Sequence, residues 1–342
     1  MSAPLVSFLV PCYNQGEFLD EAVDSILAQT IQDFEILIVN DGSTDERTNE
    51  LLADYRRPRT TVLQTANRGL AGARNLALAH ARADYVSAVD ADDRLDPRFL
   101  ERTLQELAAD PGLTFCSCWL RAFGDEDWAW QPQRCDLAAV LAEDTVLTAS
   151  PVRRQSVLEA GGWDAGMPVP GYEDWDLWIT LLERGARGTI LPEVLFHYRR
   201  RRGSMSDGCT SGEAHLRLWS YLVAKHGASY ADHRFAVLEQ REAEAADLLR
   251  GNYRLEGELA TLLAPQRRGL EEELARLRQR RSAAAGRHRP TTTPLSPAPP
   301  ADPRPHLEAE LAAARDEVAA LRGSWSWRIT SPLRALWGWV RR

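Results

Sequence analysis

The sequence has no CxxC pair, and its five cysteines, Cys12, Cys116, Cys118, Cys135 and Cys209, are scattered and odd in number. That usage argues against a disulfide framework and for buried thiols in a reducing compartment. Long apolar runs are missing too: nothing approaches the roughly 18 residues that a membrane-spanning helix needs. The opening MSAPLVSFLVPCYN lacks a basic n-region and passes from a short apolar stretch into a proline and a polar turn, unlike a signal peptide. A cytoplasmic protein is the expectation. Positive charge is in deficit, with 41 Lys and Arg against 49 Asp and Glu for a net charge of -8. A general nucleic-acid binder is thereby excluded, because it needs basic surface to displace phosphate counterions. An anionic substrate would have to be neutralised locally, by arginine or by a metal.

What is present is the composition of a globular protein: 342 residues, 44% hydrophobic and 26% charged, enough for one large α/β domain with extensions. The first two hundred residues alternate short β-branched or aromatic runs with helical patterns, as a helix-covered parallel or mixed sheet requires. Strands are expected at 6–10, 34–39, 61–63 and 85–89, and helices at 17–29 and 70–81. Phe34 to Val39 is nearly all apolar, which suits a strand buried on both faces. Further strands are expected at 113–120 and 189–198, and a helix at 173–184 ended by Gly185. Polar residues cluster where strands stop: Asn40 and Asp41 after the second, Asp90, Asp92 and Asp93 after the fourth. In open α/β sheets, ligands bind at that carboxyl end.

The expected organisation is a catalytic domain over 1–230, a helical extension over 231–283, a Pro-rich linker over 284–306, and a last segment over 307–342. In the extension Leu248, Leu255 and Leu262 recur every seven residues, and Pro265 interrupts the pattern. RPTTTPLSPAPPADPRP reads as a polyproline-like or disordered linker. Leu307, Leu311, Ala314, Val318 and Leu321 then keep the spacing of a short coiled-coil seam. Two readings of these helices stay open, packing on their own domain and homo-oligomerisation. The final SWSWRITSPLRALWGWVRR sets Leu333, Leu336, Trp337 and Val340 on one helical face and is basic, which predicts peripheral contact with the inner face of the plasma membrane. Docking of its tryptophans on protein is the alternative.

Five segments follow one another in order: VPCYNQGEFL, IVNDGSTD, NRGLAGARN, DADD and GYEDWDLW. Together they resemble the family 2 inverting glycosyltransferases, over roughly residues 4 to 205. The resemblance implies the GT-A fold, a mixed central sheet flanked by helices, here with a C-terminal helical extension. It also implies a nucleotide-sugar donor, most often a UDP-sugar, a divalent metal (Mn2+ or Mg2+), and a glycan, lipid-linked or other hydroxyl acceptor. Cell-surface glycan or polysaccharide synthesis would be the setting.

By that resemblance Pro11, Tyr13 and Asn14 lie beside the base and ribose, Asp41 accepts from the base, and Asn67, Gly69 and Arg74 approach the nucleotide. Glycine there permits close backbone contact, and arginine faces the phosphates. Asp90 and Asp92 form a DxD pattern of hard oxygen ligands, and the resemblance implies Asp92 on the metal with Asp90 and Asp93 in support. Asp174 is the expected base that relieves the acceptor hydroxyl of its proton, with Glu173 supporting it. For His197 a ligand role and a core or surface role both stand. Trp163, Trp175 and Trp178 either offer sugar rings an apolar face or belong to the core. The run Arg199 to Arg202 either folds over the donor or is a solvated charge run.

Other classes fit less well. A glycoside hydrolase needs two carboxylates but neither metal nor nucleotide pocket. A nucleotidyltransferase has a glycine-rich basic loop after its first strand, and PCYNQGEF is not one. A silent nucleotide-sugar or glycan-binding scaffold that recruits partners through its helices would not need Asp92 and Asp174 intact.

Overall fold

The computed structural model describes residues 3–201, 204–209 and 212–285. Its contacts divide the chain into two units, Met1–Gln240 and Arg241–Arg342. In the first, β1 (Val6–Cys12), β2 (Phe34–Asp41), β3 (Thr60–Thr65) and β4 (Tyr85–Ala88) alternate with α1 (Gly16–Leu27), α2 (Glu46–Ala53) and α3 (Gly69–His80). The four strands are parallel, in the order β3-β2-β1-β4. Every residue of β1 and of β2 is buried, which explains their largely apolar runs: helices cover both faces.

After β4 the chain changes direction. β5 (Arg94–Leu95), α4 (Phe99–Ala109), β6 (Phe115–Gly124), β7 (Ala129–Trp130), α5 (Leu137–Ala142), β8 (Val152–Arg153), α6 (Arg154–Ala160), α7 (Glu173–Glu183) and β9 (Gly188–Arg200) follow. They extend the sheet as β4-β8-β6-β9-β5, with β4-β8, β8-β6 and β9-β5 antiparallel and β6-β9 parallel, so the sheet is mixed. Two buried clusters hold it. One joins Phe8, Ile36, Phe99 and Phe196 under α1 and α4, and the other packs Leu9, Leu37, Phe115 and Trp178 against α3 and α7. Trp163, Trp175 and Trp178 are 3%, 4% and 1% exposed, so they are core and offer no face to a sugar. All five cysteines are free and buried.

α8 (Met205–Cys209), α9 (Gly212–Lys225) and α10 (Gly227–Ala285) follow. The described residues of the second unit all lie in α10. That helix runs through Pro265, where the sequence predicts an interruption. Proline removes one backbone hydrogen bond, a loss of about 3 kcal/mol that a helix of 59 residues can absorb without ending. No helix among the described residues is long and apolar enough to cross a membrane. The linker beyond residue 285, the seam at 307–321 and the tryptophan-rich end lie outside the described residues.

Candidate active site

Because β1 to β4 are parallel neighbours, their carboxyl ends bring three loops together on one edge of the sheet. Pro11 is buried in β1 beside Val39, and Tyr13, just past the strand, is 45% exposed. Asn14 follows at a φ of 55°, which asparagine tolerates better than most residues. Its side-chain oxygen accepts from the backbone N–H groups of Thr44 (2.7 Å) and Asp45 (2.9 Å), and its amide donates to Thr44 Oγ1 (3.0 Å). Asn14 therefore staples the loop after β1 to the loop after β2, a task the sequence does not foretell, while Tyr13 keeps an open ring face.

Asp41 ends β2 almost fully buried and accepts from the Arg68 backbone N–H at 2.8 Å. The next residue, Gly42, has a φ of +66°, and a Cβ there would come within 2.4 Å of the Asn67 nitrogen. Only glycine lets these loops close on each other. Asn67 in turn accepts from the Gly69 N–H at 3.2 Å, at the start of α3. Asp41, Asn67 and Gly69 thus form one locked rim.

Arg74 departs from that reading. It points into the protein, 1% exposed, with Nη1 donating to Glu173 Oε1 and Nη2 to Asp90 Oδ1, each at 2.8 Å. Instead of facing phosphates, its fork joins the turn after β4 to the start of α7. The reason is charge: a guanidinium taken out of water must be paired, and two carboxylates answer both terminal nitrogens. Burial opposes its charge, yet Asp90, Glu173 and Asp174 together raise its pKa.

The DADD turn lies between β4 and β5. Burial first, then the charge of Asp90, raises the Asp92 carboxyl above the usual range, and the fully buried Asp93 is pushed well above it for the same reasons. Arginines at the end of β9 answer this strain. The Arg199 backbone N–H donates to Asp93 Oδ1 and its Nε to the Asp92 carbonyl, both at 2.8 Å, while Arg201 Nη2 pairs with Asp92 Oδ2 at 3.1 Å. Both guanidinium groups also lie over the Phe18 ring, and Arg199 reaches Glu21. The run is not merely solvated. The signal was in its spacing, because residues two apart near a strand share a face.

His197 is not gathered with the aspartates. It pairs in register with Arg94, and burial followed by the Arg94 charge lowers its pKa, with Asp96 and Arg121 the other charges it feels. Among the described residues no group of three or more His, Cys, Asp or Glu side chains is arranged to hold a metal ion. Asp90 and Asp92 nevertheless suit a hard cation, since they are crowded carboxylates whose mutual repulsion a cation would relieve. One or two such groups suffice for Mg2+ when substrate phosphates and water complete its shell.

On the other side, α7 starts after Gly171, at a φ of +121°, and Tyr172, at a φ of 62°. A Cβ on Gly171 would meet Cys209 Cβ at 2.8 Å, so this sharp entry depends on glycine. Glu173, Asp174 and Asp176 all fall in the first helical turn, where the helix dipole favours negative charge. Glu173 is buried, and its carboxyl is pushed up to about 7 by burial, with Arg74 opposing. Burial also raises Asp174, again against Arg74. Among the described residues Asp174 has no salt bridge, and its Oδ1 accepts the Trp175 N–H at 2.9 Å. Glu173 is thus the arginine's partner.

The profile described as Glycosyl transferase family 2 matches residues 7–162. The uncharacterized glycosyltransferase EpsJ of Bacillus subtilis (strain 168) is 44% identical over 220 residues, 60% of this chain and 63% of that protein. Chondroitin synthase of Pasteurella multocida (strain Pm70) is 40% identical over 111 residues, 32% of this chain and 12% of that protein. The chain therefore spans less than two thirds of the length of these relatives. Among solved structures, S. aureus TarS 1-349 in complex with UDP-GlcNAc aligns with a TM-score of 0.52 at 17% identity, covering 70% of this chain and 83% of that one. At that identity the likeness is one of fold.

Proposed function

We propose, from the match of residues 7–162 to the glycosyl transferase family 2 profile and from the GT-A fold, that the protein moves a sugar from a nucleoside diphosphate to an acceptor hydroxyl in glycan synthesis. The observation that carries this reading is the buried Arg74, whose two 2.8 Å bonds tie the DADD turn to the carboxylate pair of α7. Donor-side and acceptor-side chemistry are thereby fixed in one rigid unit.

The rim of Tyr13, Asp41, Asn67 and Gly69 receives the nucleoside: Tyr13 flanks the base with its exposed ring, and Asp41 accepts from the base edge. Uridine is the reading best supported, because the TarS structure that shares this fold holds UDP-GlcNAc. Asp92 and Asp90 would hold a divalent cation, Mg2+ or Mn2+, which when bound neutralises charge on the departing diphosphate. Asp174 takes the proton of the acceptor hydroxyl as the oxygen attacks the anomeric carbon. The anomeric carbon's bond to the diphosphate oxygen breaks, the nucleoside diphosphate leaves, and the configuration at that carbon inverts. Glu173 and Arg74 hold the base in place.

Incubating the purified chain with a panel of nucleotide sugars, a divalent cation and glycoside acceptors tests this. Release of one nucleoside diphosphate, faster when acceptor is present, is the expected result. Failure to bind or consume any nucleotide sugar overturns it.

A further inference from the structure

Two arginines close on the DADD turn from the end of β9, and they are held in different ways. Arg199 is tied to backbone as well as side chain: its N–H donates to Asp93 Oδ1 and its Nε to the Asp92 carbonyl, both at 2.8 Å. Arg201 lies one residue past the strand. Its Nε and Nη2 both donate to a single oxygen, Asp92 Oδ2, at 3.3 and 3.1 Å. Its guanidinium also lies over the Phe18 ring, 4.8 Å from the centroid. Water reaches this pair, since the Arg201 side chain is 36% exposed and that of Asp92 13%. The Arg74 guanidinium on Asp90 is, by contrast, sealed inside the protein.

An oxygen of a carboxylate offers about two lone-pair directions, and the two N–H groups of Arg201 take both of those on Oδ2. A hard divalent cation seeks the same kind of oxygen and brings twice the charge to it. Guanidinium and cation on one oxygen would also repel each other at contact distance. An ion pair open to water yields readily, because solvent screens the attraction and holding a long side chain in one geometry costs rotamer freedom. Arg74 has no such freedom, and Arg199 is kept in place by its backbone bonds. Arg201 is the arginine of this turn that can leave.

We propose that Arg201 and the divalent cation are alternative occupants of Asp92 Oδ2, so that Arg201 sets how much cation the enzyme needs. The proposal rests on the reading of Asp92 as the cation's ligand. The long aliphatic stem lets the guanidinium swing off the carboxylate while β9 and Arg199 stay where they are.

The test titrates Mn2+ alone into the full chain, as wild type, Arg201→Met, Arg201→Lys and Arg200→Gln, and follows the paramagnetic resonance signal of the free ion. Turnover plays no part in this readout. Arg201→Met removes the charge and keeps a soft contact for Phe18. It should bind Mn2+ roughly fivefold more tightly than wild type, the upper end for an ion pair that water reaches. Arg201→Lys, which restores a cation on a flexible stem, should bring the affinity back toward wild type. Arg200→Gln removes the same unit of charge from the neighbour that pairs with Glu126. Screened by water, that loss should change Mn2+ affinity by less than about twofold. Adding Asp92→Asn to Arg201→Met should erase the gain. Unchanged or weaker Mn2+ binding in Arg201→Met overturns the proposal. An equal gain in Arg200→Gln does the same by marking general charge, and so does a gain that survives Asp92→Asn, which puts the ion elsewhere. Absence of Mn2+ binding in wild type and Arg201→Met alike strikes the reading of Asp92 as the cation's ligand, and the proposal falls with it. Equal binding by those two proteins strikes the competition alone, so the two failures stay distinct.

Discussion

At the residue scale, the buried guanidinium of Arg74 governs its neighbours. It is the main influence that opposes the upward pull of burial on the Asp174 carboxyl. Loss of kcat/KM on acidification should therefore begin above 3.8, the ordinary value for an aspartate, because the base must be ionised to act. Arg74→Gln leaves Asp90 and Glu173 without their shared partner. It should lower stability by about 3 to 5 kcal/mol, as breaking a buried ion pair does. In whatever fraction folds, the acid limb of the rate profile should move to higher pH. Thermal melts and pH-rate profiles check both; an acid limb that stays in place separates Arg74 from the base. Asp92 permits a second test. Asp92→Asn keeps the shape but removes the charge, so nucleotide release should fall by orders of magnitude and stop responding to added Mn2+ or Mg2+. Unchanged rates across a cation titration count against Asp92 as the ligand.

At the scale of elements, α7 is held from behind by the junction of α9 and α10. His226 is buried between Asp176 at 3.0 Å and Glu183 at 2.9 Å, and Lys225 reaches both Asp164 at 2.6 Å and Asp176 at 2.8 Å. Burial alone would lower the His226 pKa, but the two carboxylates outweigh it and raise it above 6.5. A histidine raised in the folded state stabilises most below its unfolded value, and the benefit fades as pH climbs through the folded value. His226→Gln should thus melt well below wild type at pH 6, and the gap should narrow toward pH 9. A gap constant with pH means that His226 acts by packing alone.

The same elements show how far the sequence could be read. The strands around Val6, Phe34 and Tyr85 and the helices α1, α3 and α7 were legible because sheet burial imposes apolar runs and helix burial imposes a repeat of three to four residues. β5, β7 and β8, of two residues each, carry no pattern that pairing alone would reveal. In the site, Asp41, Asn67 and Asp174 were legible as polar residues at strand and helix ends. The burial of Arg74 was not. It depends on which segments α7 packs against, and the tertiary fold decides that.

At the scale of the whole molecule, we propose that the end of the chain bears on how the acceptor reaches the catalytic unit. A basic end bearing Trp325, Trp327, Trp337 and Trp339 suits the headgroup region of an anionic membrane, which would bring the enzyme to a lipid-linked acceptor. Full-length protein should float with anionic vesicles, and protein ending at Leu321 should not. Equal flotation of the two removes the membrane role and leaves the transferase reading intact. That reading is tested most directly by comparing wild type with Asp174→Asn in one experiment, UDP binding by calorimetry beside release of the nucleotide from its sugar conjugate. Equal UDP affinity with release at least roughly 100-fold slower in the variant is the expected result, the scale of a lost general base. Release at the wild-type rate would contradict the role of Asp174, and absence of nucleotide binding in both would contradict sugar transfer from a nucleotide.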